Sequence, residues 1–268
     1  MDALETKYAV LKKILGSYRS LAVAFSGGVD STFLLAAAKQ IHGCRLTAVT
    51  VDSAFIPRCE LAEAAVFCTA QNIRQIVFRA DVLAYPEICG NPPNRCYYCK
   101  KMLFQNILRI ADDEGIAVVA DGSNADDLTD YRPGMQALKE LKIQTPLCEA
   151  GLTKQEIRIL SRAMHLPSSD KPSAACLASR IPYGDTITAE NLSMAERAEQ
   201  YLKQFGVRQL RVRIHGNIAR IEVMPDDFSG LLRYRSEISE TFRTLGFQYT
   251  TLDLSGYRTG SLNEVLYE

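Results

Sequence analysis

SLAVAFSGGVDSTFLLAAAKQ, residues Ser20 to Gln40, decides how this chain folds. Five small or apolar residues make a buried strand, two adjacent glycines make a turn, and Phe33, Leu34, Leu35 and Ala37 give the following helix a buried face. A strand that feeds a helix through a glycine turn is the first half of a βαβ unit. The same turn suits an anion. Gly27 and Gly28 let the backbone approach a phosphate and adopt positive φ, and the helix start beyond them offers unpaired N–H groups and the positive end of its dipole. The hydroxyls of Ser26 and Ser31 add donors to phosphate oxygens, and Asp30 can hold a magnesium ion that bridges them.

Outward from this motif, strands and helices alternate. An amphipathic helix precedes it within residues 1–20. RLTAVTVDS (Arg45 to Ser53) reads as a second strand, Cys59 to Asn72 as a helix and IRQIVFRAD as a third strand. A polar loop spans roughly Tyr85 to Arg95, a helix runs from Tyr97 to Glu114, and IAVVADGSNADD supplies a fourth strand ending in a polar loop. Such alternation implies right-handed crossovers and an α/β fold, a parallel twisted sheet with helices on both faces. After about residue 150 the pattern changes. Thr153 caps a helix to Met164 with Glu156 at capping-box spacing. An irregular stretch, PSSDKPSAACLASRIPYGD, leads to a helix over Ala189 to Phe205, two strands joined at His215–Gly216–Asn217, a helix over Phe228 to Leu245 and a last strand, FQYTTLDL. The expected organisation is therefore an α/β domain over residues 1–150 and a smaller α+β domain over residues 151–268.

With 268 residues, 47% hydrophobic and 23% charged, the chain has ample material for a core, and 31 basic against 31 acidic side chains give no general attraction to nucleic acid or an anionic membrane. The N-terminus carries charges throughout and lacks an apolar run for a signal or a span, which points to the cytoplasm. In that compartment eight cysteines do not imply a disulfide framework.

SGGVDS resembles the PP-loop of the N-type ATP pyrophosphatases, which include NAD synthetase, the ATP domain of GMP synthetase, asparagine synthetase and tRNA thiolation enzymes. The resemblance implies that Gly27, Gly28, Asp30 and Ser31 cradle the pyrophosphate of ATP and that the adenine lies against Val51, Asp52 and Ser53. DGSNADD (Asp121 to Asp127) is similar to that family's DGTNxDD segment, which brings Gly122 and Asn124 to the nucleotide. Read without the family, it is a strand-to-helix turn capped by Asn124.

A second constellation is NRCYYCKK, with Cys96 and Cys99 at C-x-x-C spacing on a helix start, together with Cys176 in the distant loop SAACLASRIPYG. Soft thiolates at this spacing bind zinc, hold an iron–sulfur cluster or exchange a disulfide. There is no second C-x-x-C for a four-ligand zinc site, and His165 and His215 read as packing or turn residues. Three cysteines leave one iron of a [4Fe–4S] cluster open to an inorganic sulfide.

Together these features resemble the LarE-type sulfur transferases over essentially the whole chain, through SGGVDS, DGSNADD, CLASRIPYG and VRQLRVRIHGNIARIEV. That resemblance implies an enzyme that adenylates a carboxylate of pyridinium-3,5-biscarboxylic acid mononucleotide with ATP and Mg2+, then inserts sulfur with loss of AMP, in making the nickel-pincer nucleotide. One branch of the family sacrifices the sulfur of the cysteine matching Cys176. Another holds a cluster with that cysteine and a pair, and Cys96 and Cys99 fit the cluster-bearing branch. Whether Cys176 is ligand or donor stays open. Bringing two anions together requires cations. Arg180, Arg211 and Arg213, with Lys100 and Lys101, are the candidates, Arg211 and Arg213 facing one side of a strand. A solvated sheet face is the alternative for that pair. Glu222 and Asp226 would bind a second magnesium or face solvent. The expected partners are a small-molecule nucleotide substrate and further copies of the chain, with no nucleic acid and no membrane. An ammonia-adding ligase, a tRNA-thiolating enzyme and a non-catalytic nucleotide-binding module share the glycine loop, but the first and third have no use for three cysteines and the second needs a basic surface.

Overall fold

A computed structural model describes residues 3–128, 133–172, 175–258 and 260–266. The chain forms two compact units, one made of Met1–Ala80 and Asn94–Ala174, the other of Asp81–Pro93 and Ala175–Glu268.

In the first unit the order is α1 (Ala3–Gly16), β1 (Ser20–Ala24), α2 (Val29–Lys39), β2 (Arg45–Asp52), α3 (Arg58–Ala70) and β3 (Arg74–Arg79). Residues 81–93 then pass through the second unit, where they carry the short α4 (Pro86–Cys89). The first unit resumes with α5 (Arg95–Asp113), β4 (Val118–Ala120), α6 (Pro133–Glu140), α7 (Pro146–Glu149) and α8 (Lys154–Ala163). Its four strands are parallel, in the order β3-β2-β1-β4.

Alternation along β1 explains the layering. Leu21 and Val23 point into a core with Leu11 and Leu15 of α1, Phe33 to Ala38 of α2, and Ile157 of α8. Ala22, one residue out of phase, faces the opposite core of Val49, Phe104, Ile107 and Leu138. Both faces of the sheet are therefore covered, as the apolar run in β1 requires. Phe33, Leu34 and Leu35 are fully buried; each such side chain contributes on the order of 1.5–3 kcal/mol. β1 has β2 on one side and β4 on the other, so the strand order reverses at β1, and it is at the carboxyl edge of such a switch point that parallel α/β sheets bind ligands.

The second unit contains α9 (Ala189–Lys203), β5 (Leu210–His215), β6 (Ile218–Val223), α10 (Phe228–Arg233), α11 (Arg235–Thr244) and β7 (Tyr249–Leu252). β5 and β6 form an antiparallel hairpin through Gly216 and Asn217, and β7 joins β6 in parallel. One face of this small sheet buries Val212, Ile214 and Ile221 against Ala195, Ala198 and Leu202 of α9 and Phe242 of α11.

Three features differ from the sequence reading. The division near residue 150 falls at Ala174 instead, because Ile157 and Leu166 belong to the core of the first unit. Residues 81–93 join the second unit because Gly184 and Ile187 donate backbone bonds to Asn91 (3.0 Å) and Cys89 (2.8 Å), and the Asn91 amide donates to the carbonyls of Ile181 (3.1 Å) and Pro182 (2.6 Å). The helix read through Phe228 to Leu245 breaks at Tyr234, whose φ of −102° and ψ of 15° end α10. Among the described residues no helix is long and apolar enough to cross a membrane.

Candidate functional site

At the end of β1 the chain bonds once more to β2, Phe25 N donating to Val49 O at 2.9 Å, and then turns. Gly27 has φ +72°, in the left-handed region that disfavours a side chain. Gly28 occupies the N-cap position of α2 and no side chain caps the helix. The first-turn amides therefore stay open to an anion. Ser26 and Ser31 line the turn with hydroxyls 3.1 Å apart, and Ser31 Oγ also lies 3.3 Å from Gly28 O.

The loop after β4 closes on this turn. A Cβ on Gly122 would lie 3.0 Å from Ser31 N and 3.1 Å from its Cα, so a side chain there would force the two backbones apart. Asp121 accepts from Ser123 N (2.8 Å) and the Ser123 hydroxyl on one oxygen, and from Lys100 Nζ on the other at 3.3 Å. Asn124 forms an Asx turn, Oδ1 accepting from Asp126 N at 2.9 Å, while its own N–H donates to buried Asp127 at 2.9 Å.

Asp30 projects from the first turn of α2 into this enclosure. Burial pushes its carboxyl up, and the Lys154 ammonium, bonded to Oδ2, offsets that only in part; Asp127 pushes further up, and Asn124 lowers it slightly. Its other oxygen, Oδ1, is buried with no hydrogen-bond partner. An orphaned carboxylate oxygen beside open helix amides fits a magnesium ion carried by a triphosphate. Lys171 lies on the other side of the turn, its Nζ 3.3 Å from Gly27 O and 2.7 Å from Glu63. At the end of β2, Asp52 pairs with Arg58 at 2.6 Å, Ser53 is buried with its Oγ accepting from Phe55 N at 3.4 Å, and Val51 is half-buried.

Cys96 and Cys99 fall in the opening turns of α5, three residues apart and hence on one face, both half-buried. Asn94 makes no side-chain cap there. α6 packs closely on this turn, since a Cβ on Gly134 would meet Lys100 Cδ at 2.9 Å and Cys96 O at 3.5 Å. The same Lys100 reaches Asp121, so the turn that carries the cysteine pair and the loop after β4 are joined through one side chain. Lys101 instead pairs with Glu140 (3.0 Å) and bonds Tyr97 Oη (2.7 Å). Cys176 belongs to the second unit. Among the described residues no three His, Cys, Asp or Glu side chains come together as a metal would need.

In the second unit the loop of Cys176 is anchored from within. Arg180 Nη1 donates to the carbonyls of Ala175 (2.7 Å) and Cys176 (3.0 Å), while Nε and Nη2 pair with Glu199 at 2.8 and 3.0 Å. Both residues of that pair are buried. Arg211 and Arg213 share a sheet face as expected, but it is neither solvated nor open. Arg213 donates to Glu222 (2.5 Å), Ser179 O (2.6 Å) and Ser261 Oγ (2.8 Å). Arg211 lies over the Tyr257 ring at 5.4 Å, and burial together with Arg180 lowers its pKa. Glu222 is wholly buried between Arg213 and Arg220 rather than at the surface.

No family model matches the chain. A Synechocystis protein of uncharacterized function is 41% identical over 98% of this chain and 99% of its own length. The pyridinium-3,5-bisthiocarboxylic acid mononucleotide synthase of Lactiplantibacillus plantarum is 35% identical over 99% of this chain and 97% of its own. The chain belongs to this synthase family. A glutamine-hydrolyzing GMP synthase of Aeropyrum pernix is also similar, 26% identical over 72% of this chain and 41% of its own length.

For a member of the synthase family, the first unit assembles what sequence motifs single out: Ser26 to Ser31, Gly122 and Asn124 share one edge of the sheet. Lys154 and Lys171 escape the motifs. Lys154 follows a capping threonine and Lys171 sits in an irregular stretch, so the only signal was a lysine next to each of two loops that return to the glycine turn.

Proposed function

We propose that this chain is an ATP-dependent sulfur transferase that converts a carboxylate of pyridinium-3,5-biscarboxylic acid mononucleotide to a thiocarboxylate in nickel-pincer nucleotide biosynthesis. The observation that carries the reading is the open start of α2 at Gly28, closed over by Gly122 and flanked by Lys154 and Lys171. Such a cradle binds the β- and γ-phosphates, with Asp30 holding magnesium. A carboxylate oxygen of the substrate attacks the α-phosphorus and pyrophosphate leaves. A sulfur nucleophile then attacks the acyl carbon and the C–O bond to AMP breaks, so that AMP carries away the oxygen that sulfur replaces. The fixed amides and lysines stabilise charge that develops on the departing pyrophosphate. Val51, Asp52 and Ser53 are proposed to seat the adenine. Arg180 is proposed to serve the reaction by holding Cys176, and Arg213, which donates to Ser179 O, braces the same loop.

For the sulfur source, Cys96, Cys99 and Cys176 would hold a [4Fe–4S] cluster, which when bound would supply the sulfide. A second reading uses Cys176 alone: it attacks the acyl carbon with its own sulfur, and loss of its α-proton then breaks the Cβ–S bond, leaving dehydroalanine. Incubation with ATP, magnesium and substrate tests the function. Pyrophosphate, AMP and a product bearing sulfur in place of oxygen are expected, and their absence would remove the proposal. Anaerobic iron and sulfide analysis of the wild type and of Cys96→Ala, Cys99→Ala and Cys176→Ala separates the two sulfur sources: the cluster is lost in each variant, whereas sacrifice shows as mass loss at Cys176 after one turnover. The equal numbers of basic and acidic side chains support a chain that works without nucleic acid. We further propose a cytoplasmic homo-oligomer, which light scattering of the purified chain tests for assembly.

A further inference from the structure

We propose that Lys154 is a stand-in cation for Asp30: without nucleotide its ammonium holds the place of the metal, and the divalent ion enters only with the triphosphate, which draws Lys154 onto its own oxygens. This rests on the reading that Asp30 serves the metal of ATP.

The geometry is specific. Asp30 Oδ2 is bonded to Lys154 Nζ, while Oδ1 is buried and lacks a partner. Asp127 adds a second carboxylate to the same enclosure, close enough to act on Asp30 electrostatically. The Lys154 backbone is fixed, since its N–H donates to Asp126 Oδ2 at 2.9 Å and it opens α8 directly after Thr153. The Thr153–Glu156 capping box sets that helix start, and Lys7 bonds Glu156 at 2.8 Å. Only the four-carbon stem is free to swing, and a lysine head exchanges partners readily because it is a compact point charge. A divalent ion on Asp30 and the ammonium on the same carboxylate would repel across a few ångströms in a partly desolvated site. A triphosphate resolves the conflict by offering the lysine other oxygens. Metal and nucleotide are then bound together, and magnesium alone is refused.

The test is a titration of the full chain with Mn2+, read as free Mn2+ by electron paramagnetic resonance, with and without a non-hydrolysable ATP analogue. Wild type is expected to bind tightly only with the analogue. Lys154→Met is expected to bind Mn2+ without nucleotide at least about tenfold more tightly than wild type. Lys154→Arg, which keeps the charge, should behave as wild type, and adding Asp30→Asn to Lys154→Met should abolish the gain. Circular dichroism melts establish that each variant is folded, and Lys154→Gln replaces the methionine variant if it is not. Analogue-dependent binding by wild type with no gain in folded Lys154→Met overturns the inference alone. Wild type that binds no Mn2+ even with the analogue removes the reading of Asp30 and the inference with it.

Discussion

Replacing Glu199 by glutamine isolates the anchor of the Cys176 loop. Glu199 Oε1 accepts from Arg180 Nε at 2.8 Å and from Val212 N at 3.0 Å, and Oε2 accepts from Arg180 Nη2 at 3.0 Å. Arg180 is 2% exposed and Glu199 8%, and Arg211 lies near enough to repel Arg180. Glu199→Gln keeps the shape and one acceptor but leaves two buried guanidinium groups without their carboxylate. Removing one partner of a buried pair costs about 3–5 kcal/mol, and the retained acceptor places this case near the lower figure. With a urea slope of about 2 kcal/mol/M, the loss moves the midpoint down by about 1.5 M. Unfolding is followed by circular dichroism, and iodoacetamide labelling of Cys176 in native buffer is expected to speed up as its carbonyl loses a fixed donor. The double variant Arg180→Met/Glu199→Leu, which removes both charges, should recover much of the midpoint. A single variant within about 0.5 kcal/mol of wild type, or a double variant no more stable than Glu199→Gln, would refute the reasoning.

Gly122→Ala is expected to weaken ATP binding in calorimetry by pushing the loop off Ser31, at an overpacking cost of about 1–3 kcal/mol that leaves the fold intact. Lys171→Met should raise KM for ATP while leaving the urea midpoint nearly unchanged, because its Glu63 partner is exposed and such pairs add no more than about 1 kcal/mol; an unchanged KM would count against a role at Gly27. Burial pushes the thiols of Cys68 and Cys148 up to about 11, with Asp127 and Asp121 adding to the effect at Cys148. A raised thiol pKa means less thiolate at a given pH, so iodoacetamide at pH 8 is expected to modify exposed Cys59 first, and Cys68 and Cys148 should follow only as pH approaches 11. Peptide mass mapping across pH reads the order, and early labelling of Cys148 would contradict it.

The parallel sheet was legible because its signals are local. β1 is an unbroken apolar run, and Gly27 and Gly28 announce a turn that few other functions need. The capping box at Thr153 was visible for the same reason, since its partners stand three residues apart. Non-local facts were not legible. That residues 81–93 belong with the C-terminal part depends on Asn91 reaching Ile181 and Pro182, some ninety positions on. Arginines on the β5 face carry the same charge whether they await a phosphate or balance a buried acid. Only the positions of Glu199 and Glu222 show that Arg180 and Arg213 have carboxylate partners within their own unit. Lys154 illustrates the limit most sharply: its distance in sequence from Asp30 hides an ion pair at the glycine turn.

The excursion of residues 81–93 also has a consequence for synthesis. These residues leave the ribosome early, whereas their partners begin at Ala175. At about 5–20 residues per second, the intervening stretch imposes a wait on the order of ten seconds. During it Ile88, destined to be fully buried, has no core to enter, and the Asn91 amide has water as its acceptor in place of two carbonyls. The nascent chain thus holds a sticky segment between two parts of an α/β sheet that can already form. A polypeptide beginning at Ala175 would lack that segment altogether and is expected to be less soluble than the full chain.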